Sequence, residues 1–202
     1  MTVSFPAPSL WRTALTITAG LALFPAALLL RADPSPARPP VAIMDTTDHA
    51  GNWVGKTARP FAPTDSDGKA VDLSRVIGTR PVVLIFYRGA WCPFCRSQFA
   101  DLARHRADLE RAGAAVYAIS NEAAPKLNQM RDTLRVGFVT FLSDPDGKAA
   151  VLYAGLYPNS PVHQPGSFVI DKRGKIVYAY VNQDYKSRAA TTSMVRAAER
   201  SR

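Results

Sequence analysis

Residues 81–95 read Pro81-Val-Val-Leu-Ile-Phe-Tyr-Arg-Gly-Ala-Trp-Cys-Pro-Phe-Cys95. Their first half contains the continuous apolar run Val82 to Phe86, which is typical of a strand buried on both faces of a parallel sheet. Two cysteines follow, and Pro93 between them is well tolerated in the first turn of a helix. We therefore predict a buried strand followed directly by a helix, with the Cys-Pro-Phe-Cys motif at the junction.

Apolar runs and turn signals alternate along the rest of the chain. Gly68, in an Asp-Gly pair, supplies the positive φ of a turn between two short strands within 61–73. Further strands are predicted at 115–119, 139–142, 167–170 and 176–180, and helices at 93–111, at 123–135, from 148 onward and at 189–200. Helices that alternate with buried strands, followed by a closing hairpin, predict an α/β fold with a central mixed sheet flanked by helices.

The N-terminal part differs from the remainder, and the folded domain is predicted at 41–202, after a separate segment at 1–40. Residues 13–30 form an uncharged, mostly apolar run that follows Arg12 and precedes a stretch rich in Pro, Ala and Arg. This pattern is typical of an export signal or a single membrane anchor. We therefore expect an exported protein, either periplasmic or anchored facing the periplasm. The alternative is a buried N-terminal helix, and the lack of a polar face argues against it.

The chain is basic, with a formal net charge of +9. Its Lys and Arg residues are scattered, and no basic run is interleaved with aromatic residues. Nucleic-acid binding requires a clustered basic surface. The charge therefore predicts a solvated surface and no nucleic-acid partner.

Only two cysteines are present, Cys92 and Cys95. A disulfide that closes so short a loop would stabilise the fold by only about 2 kcal/mol on the loop-entropy formula. A zinc site would need two further ligands, and His49, His105 and His163 are not paired at ligand spacing. The pair is therefore predicted to be reactive, with neither a metal nor a cofactor.

The position of the two cysteines explains why they would react. A thiolate is the reactive form, and the unpaired N–H groups and positive dipole end of a helix N-terminus favour it. We expect this field to lower the thiol pKa from about 8.5 to about 7. The spacing also brings the sulfurs close enough to form a Cys92–Cys95 disulfide. Cys92 is expected to be the more exposed thiol, since Cys95 shares the inward helix face with Phe99.

These residues resemble the AhpC/TSA peroxiredoxin-like branch of the thioredoxin superfamily. The resemblance spans about 61–188 and includes Trp91 and Pro93 beside the cysteines. Its motifs are Phe86-Tyr-Arg-Gly-Ala-Trp-Cys-Pro-Phe-Cys95, Leu142-Ser-Asp-Pro-Asp-Gly147, Phe168-Val-Ile-Asp-Lys-Arg-Gly-Lys-Ile176 and the tail Tyr180-Val-Asn-Gln-Asp-Tyr185. It implies a thioredoxin-like fold and a thiol-dependent peroxidase that reduces hydroperoxides or protein disulfides with a thioredoxin-like reductant.

Two registers of the motif remain open. In the peroxiredoxin register, Cys95 takes the peroxidatic place, Cys92 replaces a threonine and Arg88 replaces a proline. The peroxide-binding arginine that the resemblance implies just before Phe168 is missing. In the thioredoxin register, Pro165 takes the place of the cis-proline beside the redox disulfide, and Cys92 becomes the exposed nucleophile.

Two further side chains have alternative roles. If Pro165 packs against the cysteines, His163 comes within reach as a base or as a cation that lowers a thiol pKa. The alternative is a solvated loop histidine. Arg88 either stabilises a thiolate from the end of the strand or is simply exposed.

The sequence is compatible with three functions. The leading hypothesis is a peroxidase that cycles between dithiol and disulfide, in which the Cys95 thiolate becomes a sulfenic acid and Cys92 condenses with it. The second is a membrane-tethered thiol-disulfide oxidoreductase of the TlpA type, in which Cys92 attacks the substrate disulfide. The third is a thioredoxin-like Cu(I)-handling protein that uses both thiolates and His163 as ligands.

Overall fold

The computed structural model describes residues 52–201. The strands are β1 (Thr64–Asp65), β2 (Val82–Phe86), β3 (Ala115–Ser120), β4 (Val139–Ser143), β5 (Gly166–Ile170) and β6 (Ile176–Val181). The helices are α1 (Pro93–Arg104), α2 (Arg106–Arg111), α3 (Ala124–Thr133), α4 (Lys148–Leu152) and α5 (Thr191–Glu199). The predicted N-terminal export segment and the predicted start of the domain at residue 41 lie outside the described residues. Within 52–201, no helix combines the length and apolar character needed to cross a bilayer.

The six strands form one sheet in the order β1-β4-β3-β2-β5-β6. β2 is parallel to β3 and antiparallel to β5, so that Phe86 lies opposite both Ile119 and Gly166. All five residues of β2 are buried, as the continuous apolar run predicted. The predicted α/β fold with a central mixed sheet is confirmed.

The side chains of β2 alternate between two cores, one on each face of the sheet. Ile85 points into the first core, which also contains Cys92, Cys95 and Phe99. Phe86 points into the second core. The buried apolar residues of α5 belong to the first core as well. The cysteines therefore lie on the sheet face that α1 and α5 cover.

The helix predicted at 93–111 is interrupted at His105. The φ of −101° and ψ of 14° at this residue leave the helical conformation. Its carbonyl accepts hydrogen bonds from the N–H groups of Asp108 and Leu109. The last part of the predicted helix is therefore a separate helix, α2, which ends before Gly113 with its φ of +68°.

The segment 61–73 forms one strand, where two were predicted. β1 pairs antiparallel with β4, and only a single bridge joins Thr64 to Ala70 across the turn. Gly68 has a φ of +78°, so the predicted turn is confirmed although the ladder of the second strand does not form.

Candidate active site

Both cysteines lie at the N-terminus of α1, where the sequence placed them. Cys92 is the N-cap residue with an extended backbone (φ −82°, ψ 118°), and Pro93 is the first helical residue. Cys95 belongs to the first helical turn, and both thiols are free. The backbone N–H groups that have no partner within the helix therefore lie beside the pair.

Cys92 is not the more exposed thiol, contrary to the prediction, because both cysteines have 0% exposure. The residues 182–190, here called the tail segment, lie over the motif. Within the tail segment, the Tyr185 ring contacts the Phe94 ring at 5.8 Å between centroids. The tail segment therefore covers the motif on this side.

Arg188 of the tail segment contacts both sulfurs. Its Nη2 lies 3.1 Å from Sγ of Cys95 and 3.7 Å from Sγ of Cys92. Its Nη1 donates hydrogen bonds to the carbonyl oxygens of Tyr185 and Ser187, at 2.7 and 2.6 Å, which fix the guanidinium in place. Sequence reasoning missed this residue, because no motif marks an arginine in a polar stretch after the last strand. A cation is thus present at the thiols although the arginine expected before β5 is missing.

Local electrostatics gives the two thiols different protonation states. The pKa of Cys92 is lowered to about 5, chiefly by a hydrogen bond from the Cys95 thiol. The Cys95 N–H group, Arg188 and Arg88 act in the same direction, against the effect of burial. The pKa of Cys95 is raised, because its proton is held in the hydrogen bond to Cys92 and because its side chain is buried. The pair therefore retains one proton and carries one negative charge at neutral pH.

Arg88 is half-buried among aromatic rings and is not simply exposed. Its guanidinium carbon lies 4.7 Å from the ring centroid of Trp91, 4.7 Å from that of Tyr185 and 5.5 Å from that of Tyr157. Such contacts hold a cation by cation–π attraction. Trp91 is itself 56% exposed, so an aromatic side chain faces solvent beside the motif.

The residues 88–92, here called the redox loop, are held from the end of β3 by Glu122. Its Oε2 accepts a hydrogen bond of 2.7 Å from the N–H of Ala90, and burial raises the pKa of this carboxyl. Gly89 has a φ of +152°, and a Cβ there would overlap the Trp91 indole and approach the Glu122 carboxylate to 2.9 Å. Glycine is therefore needed for this close approach. Sequence reasoning also missed Glu122, whose contact with Ala90 spans 32 positions of the chain.

Pro165 lacks the predicted peptide-bond conformation, and His163 lacks the predicted surroundings. Pro165 is buried, but every peptide bond in the described part of the chain is trans, so the expected cis-proline is not formed. His163 is fully buried and is therefore not a solvated loop residue.

The surroundings of His163 separate it from the thiols. Its Nε2 lies 3.3 Å from Oδ2 of Asp144, and its ring lies against Phe86, whose core is on the sheet face opposite the cysteines. Burial lowers the pKa of this imidazole. Among residues 52–201, no hydrogen bond or ion pair joins His163 to either cysteine. The three ligands of the copper hypothesis are therefore not brought together.

Comparisons with known proteins all indicate the same family. Residues 54–179 match the model of the AhpC/TSA family. Chloroplastic peroxiredoxin Q of Oryza sativa subsp. japonica is 33% identical over 165 residues, which cover 78% of this chain and 73% of the rice protein. Peroxiredoxin Bcp of Escherichia coli (strain K12) is 30% identical over 141 residues, which cover 66% of this chain and 86% of Bcp.

Solved structures share the fold. Peroxidoxin BcpB from Mycobacterium tuberculosis has a TM-score of 0.62 at 22% identity, covering 72% of this chain and 96% of its own. AhpC from Enterococcus faecalis has a TM-score of 0.64 at 21% identity, covering 73% of this chain and 90% of its own. These likenesses confirm the thioredoxin-like fold, and the peroxiredoxin relatives favour neither the TlpA-type nor the copper-handling alternative. The chain therefore belongs to the AhpC/TSA family and is an oxidoreductase of the thiol-dependent peroxidase type.

Proposed function

We propose that Cys92 and Cys95 form the redox centre of a hydroperoxide reductase, with Cys92 as the attacking thiolate. The observation that carries the redox centre is the position of Arg188, which contacts both sulfurs from outside the motif. The N-cap position of Cys92 supports the order of attack. A guanidinium there stabilises the single negative charge of the pair. The pKa of Cys92, lowered to about 5, and its position at the helix N-cap support this sulfur as the carrier of that charge. This order is the reverse of the one expected in the peroxiredoxin register.

The proposed cycle begins when the Cys92 thiolate attacks the terminal oxygen of the hydroperoxide. The O–O bond breaks, Cys92 becomes a sulfenic acid, and the alkoxide that leaves takes the proton of the Cys95 thiol. The Cys95 thiolate then attacks the sulfenic sulfur, and hydroxide leaves and is protonated by solvent. The products are one disulfide, one alcohol and one water for each hydroperoxide and dithiol consumed.

Reduction of the Cys92–Cys95 disulfide closes the cycle. A thioredoxin-like dithiol partner supplies the two electrons by thiol–disulfide exchange, through a mixed disulfide with one of the two cysteines. The exposed Trp91 lies beside the motif and is available for contact with such a partner. The peroxiredoxin relatives support this choice of substrate and reductant.

Single-cysteine variants test the assignment. We expect Cys92→Ser to abolish hydroperoxide consumption in the presence of dithiothreitol. We expect Cys95→Ser to reduce one equivalent of hydroperoxide and to accumulate a sulfenic acid on Cys92, which dimedone labelling and mass spectrometry detect. Unchanged multiple turnover by Cys95→Ser would contradict the dithiol cycle, and a sulfenic acid on Cys95 in Cys92→Ser would reverse the order of attack.

We also propose that the apolar run at 13–30 directs export of the chain. Its length, its lack of charge and the preceding Arg12 support this role. Fusion of residues 1–40 to a reporter that is active only outside the cytoplasm tests it: activity is expected, and an inactive, intact fusion would contradict export.

A further inference from the structure

The reduced form of the site is stabilised by groups that a disulfide cannot use equally well. Nη2 of Arg188 lies 3.1 Å from Sγ of Cys95 and 3.7 Å from Sγ of Cys92, and Cys92 is the N-cap residue of α1. A guanidinium and a helix N-terminus both favour a negative charge on sulfur. Once the two sulfurs are joined, the pair is neutral, and neutral sulfur is only a weak hydrogen-bond acceptor. These groups therefore stabilise the dithiol more than the disulfide.

Arg88 adds a second positive charge that the fold holds in place. Its guanidinium carbon lies 4.7 Å from the ring centroids of both Trp91 and Tyr185, and its charge, like that of Arg188, lowers the pKa of Cys92. Within residues 52–201, neither arginine forms an ion pair with a carboxylate. The negative charge of the reduced pair is therefore the anion that faces these two cations, and oxidation removes it.

This asymmetry determines the direction of electron flow. In thiol–disulfide exchange, electrons pass to the couple whose reduced form is the more stable relative to its disulfide. Ordinary protein thiols have a pKa of about 8.5 and are mostly protonated at neutral pH, so their reduced forms gain nothing from a nearby cation. The Cys92–Cys95 disulfide is therefore expected to accept electrons from ordinary protein dithiols as well as from a dedicated reductant.

We propose that the chain passes the oxidising equivalents of hydroperoxides on to client proteins and forms disulfides in them. The inference rests on the dithiol cycle of the proposed function and adds a second activity, that of a peroxide-dependent protein dithiol oxidase. Hydroperoxide first converts the dithiol of the chain into the Cys92–Cys95 disulfide, as in the proposed cycle. The client dithiol then takes the place of the thioredoxin-like reductant.

The exchange with the client balances in two steps. A client thiolate attacks one sulfur of the Cys92–Cys95 disulfide, the S–S bond breaks, and the other cysteine leaves as a thiolate. The second client thiolate then attacks the client sulfur of the mixed disulfide and releases the chain as its dithiol. In sum, one client dithiol and one hydroperoxide become one client disulfide, one alcohol and one water.

The surface beside the motif suits a polypeptide client. Trp91, which precedes Cys92, and Tyr185 of the tail segment are both exposed, and such rings can contact the side chains that flank a client cysteine. Both thiols are fully buried in the reduced state, and the contact of Arg188 with the charged pair helps to hold the tail segment over them. Because oxidation removes that charge, the cover is weakened in the state that the client must reach.

A single turnover tests the transfer directly. The full wild-type chain is oxidised with one equivalent of hydrogen peroxide, freed of peroxide, and mixed with a reduced synthetic peptide that contains two cysteines. We expect one peptide disulfide for each chain, with the chain returned to its dithiol as measured by alkylation and mass spectrometry. When peroxide is present and the chain is catalytic, we expect many peptide disulfides for each chain, formed faster than in a sample without the chain. An oxidised chain that leaves the peptide reduced would overturn the inference.

The equilibrium constant for exchange with glutathione tests the physical cause. Arg188→Met is expected to shift this constant about tenfold towards the disulfide of the chain, which is about 30 mV for a two-electron couple, because it removes a cation that favours the thiolate. Arg188→Lys keeps the charge and is expected to shift it less. Arg104→Met removes an exposed arginine from the last turn of α1 and is expected to leave it unchanged. Equal constants in wild type and Arg188→Met, or an equal shift in Arg104→Met, would overturn the inference.

Peroxide consumption by the same preparations with dithiothreitol separates this inference from the proposed function. If the oxidised chain does not oxidise the peptide while it consumes peroxide normally, the peroxidase function stands and only client oxidation fails. If the wild-type chain consumes no peroxide with dithiothreitol, the proposed function itself fails.

Discussion

The redox loop and the tail segment meet at the same two sulfurs but are held in different ways. The redox loop lies between a fully buried strand and α1, and Glu122 binds its backbone. In the tail segment, the residues 183–186 are all exposed. Its turn is local, with Asp184 accepting hydrogen bonds from the Lys186 N–H and the Ser187 hydroxyl. The nucleophile is thus held between two buried elements, whereas a cation that helps to lower its pKa comes from a segment whose turn, 183–186, is exposed.

Because the two segments are held differently, we expect changes in them to affect the stability of the fold and the reactivity of the thiols separately. Changes in the redox loop are expected to lower the free energy of unfolding, since they disturb buried contacts. Changes in the tail segment are expected to alter thiol ionisation with little effect on unfolding.

Removal of the cation gives the largest effect. Arg188→Met is expected to raise the pH at which Cys92 is half-alkylated by about one to two units, because an opposite charge near an acid lowers its pKa by about that amount. At pH values below the pKa of Cys92, the rate of alkylation then falls about tenfold for each unit. Arg188→Lys is the matched control and is expected to retain part of the effect. An unchanged midpoint in Arg188→Met would show that Arg188 does not lower the pKa of Cys92.

Loss of the hydrogen bond between Glu122 and the redox loop is expected to affect stability more than reactivity. Glu122→Ala leaves the buried N–H of Ala90 without its acceptor, which costs about 1–3 kcal/mol of unfolding free energy in urea denaturation. Glu122→Gln keeps an acceptor and removes a carboxylate that burial disfavours, so its cost is expected to be smaller. Equal losses in the two variants would show that the charge, and not the hydrogen bond, holds the redox loop.

The aromatic contacts of the tail segment give the smallest effect. Tyr185→Ala removes one of three rings around Arg88 and the contact with Phe94. A cation–π contact at a partly exposed site is worth about 0.5–1 kcal/mol, so alkylation of Cys92 at pH 5 is expected to fall by a factor of about two to five. A loss of global stability comparable with that of Glu122→Ala would contradict the separation of roles.

The sequence predicts those structural elements that are determined by residues adjacent to one another in the chain. The run Val82 to Phe86 indicated a buried strand because five consecutive apolar side chains suit burial on both faces. Cys92 was placed at a helix N-terminus because Pro93 suits the first turn. The order of the strands in the sheet could not be read in this way, because it depends on how distant segments pair.

Residues that reach the site from far along the chain were missed for the same reason. Arg188 lies 93 positions from Cys95, and no periodicity or motif links the two. His163 is two residues from Pro165 in sequence, yet the alternation of β2 side chains places its neighbour Phe86 on the face away from the thiols. A pattern shows which side of an element is buried, but not which distant side chain completes the site.

We expect the reduced dithiol pair to carry one negative charge, located on Cys92. This is tested most directly by alkylating the reduced full chain over a range of pH and quantifying each cysteine separately by mass spectrometry. Because the pKa of Cys92 is lowered to about 5, its alkylation is expected to rise through pH 5 and to be constant above about pH 6. Cys95, whose pKa is raised, is expected to remain unmodified through neutral pH. Alkylation of Cys95 before Cys92, or a Cys92 midpoint near the ordinary value of about 8.5, would contradict a negative charge on Cys92.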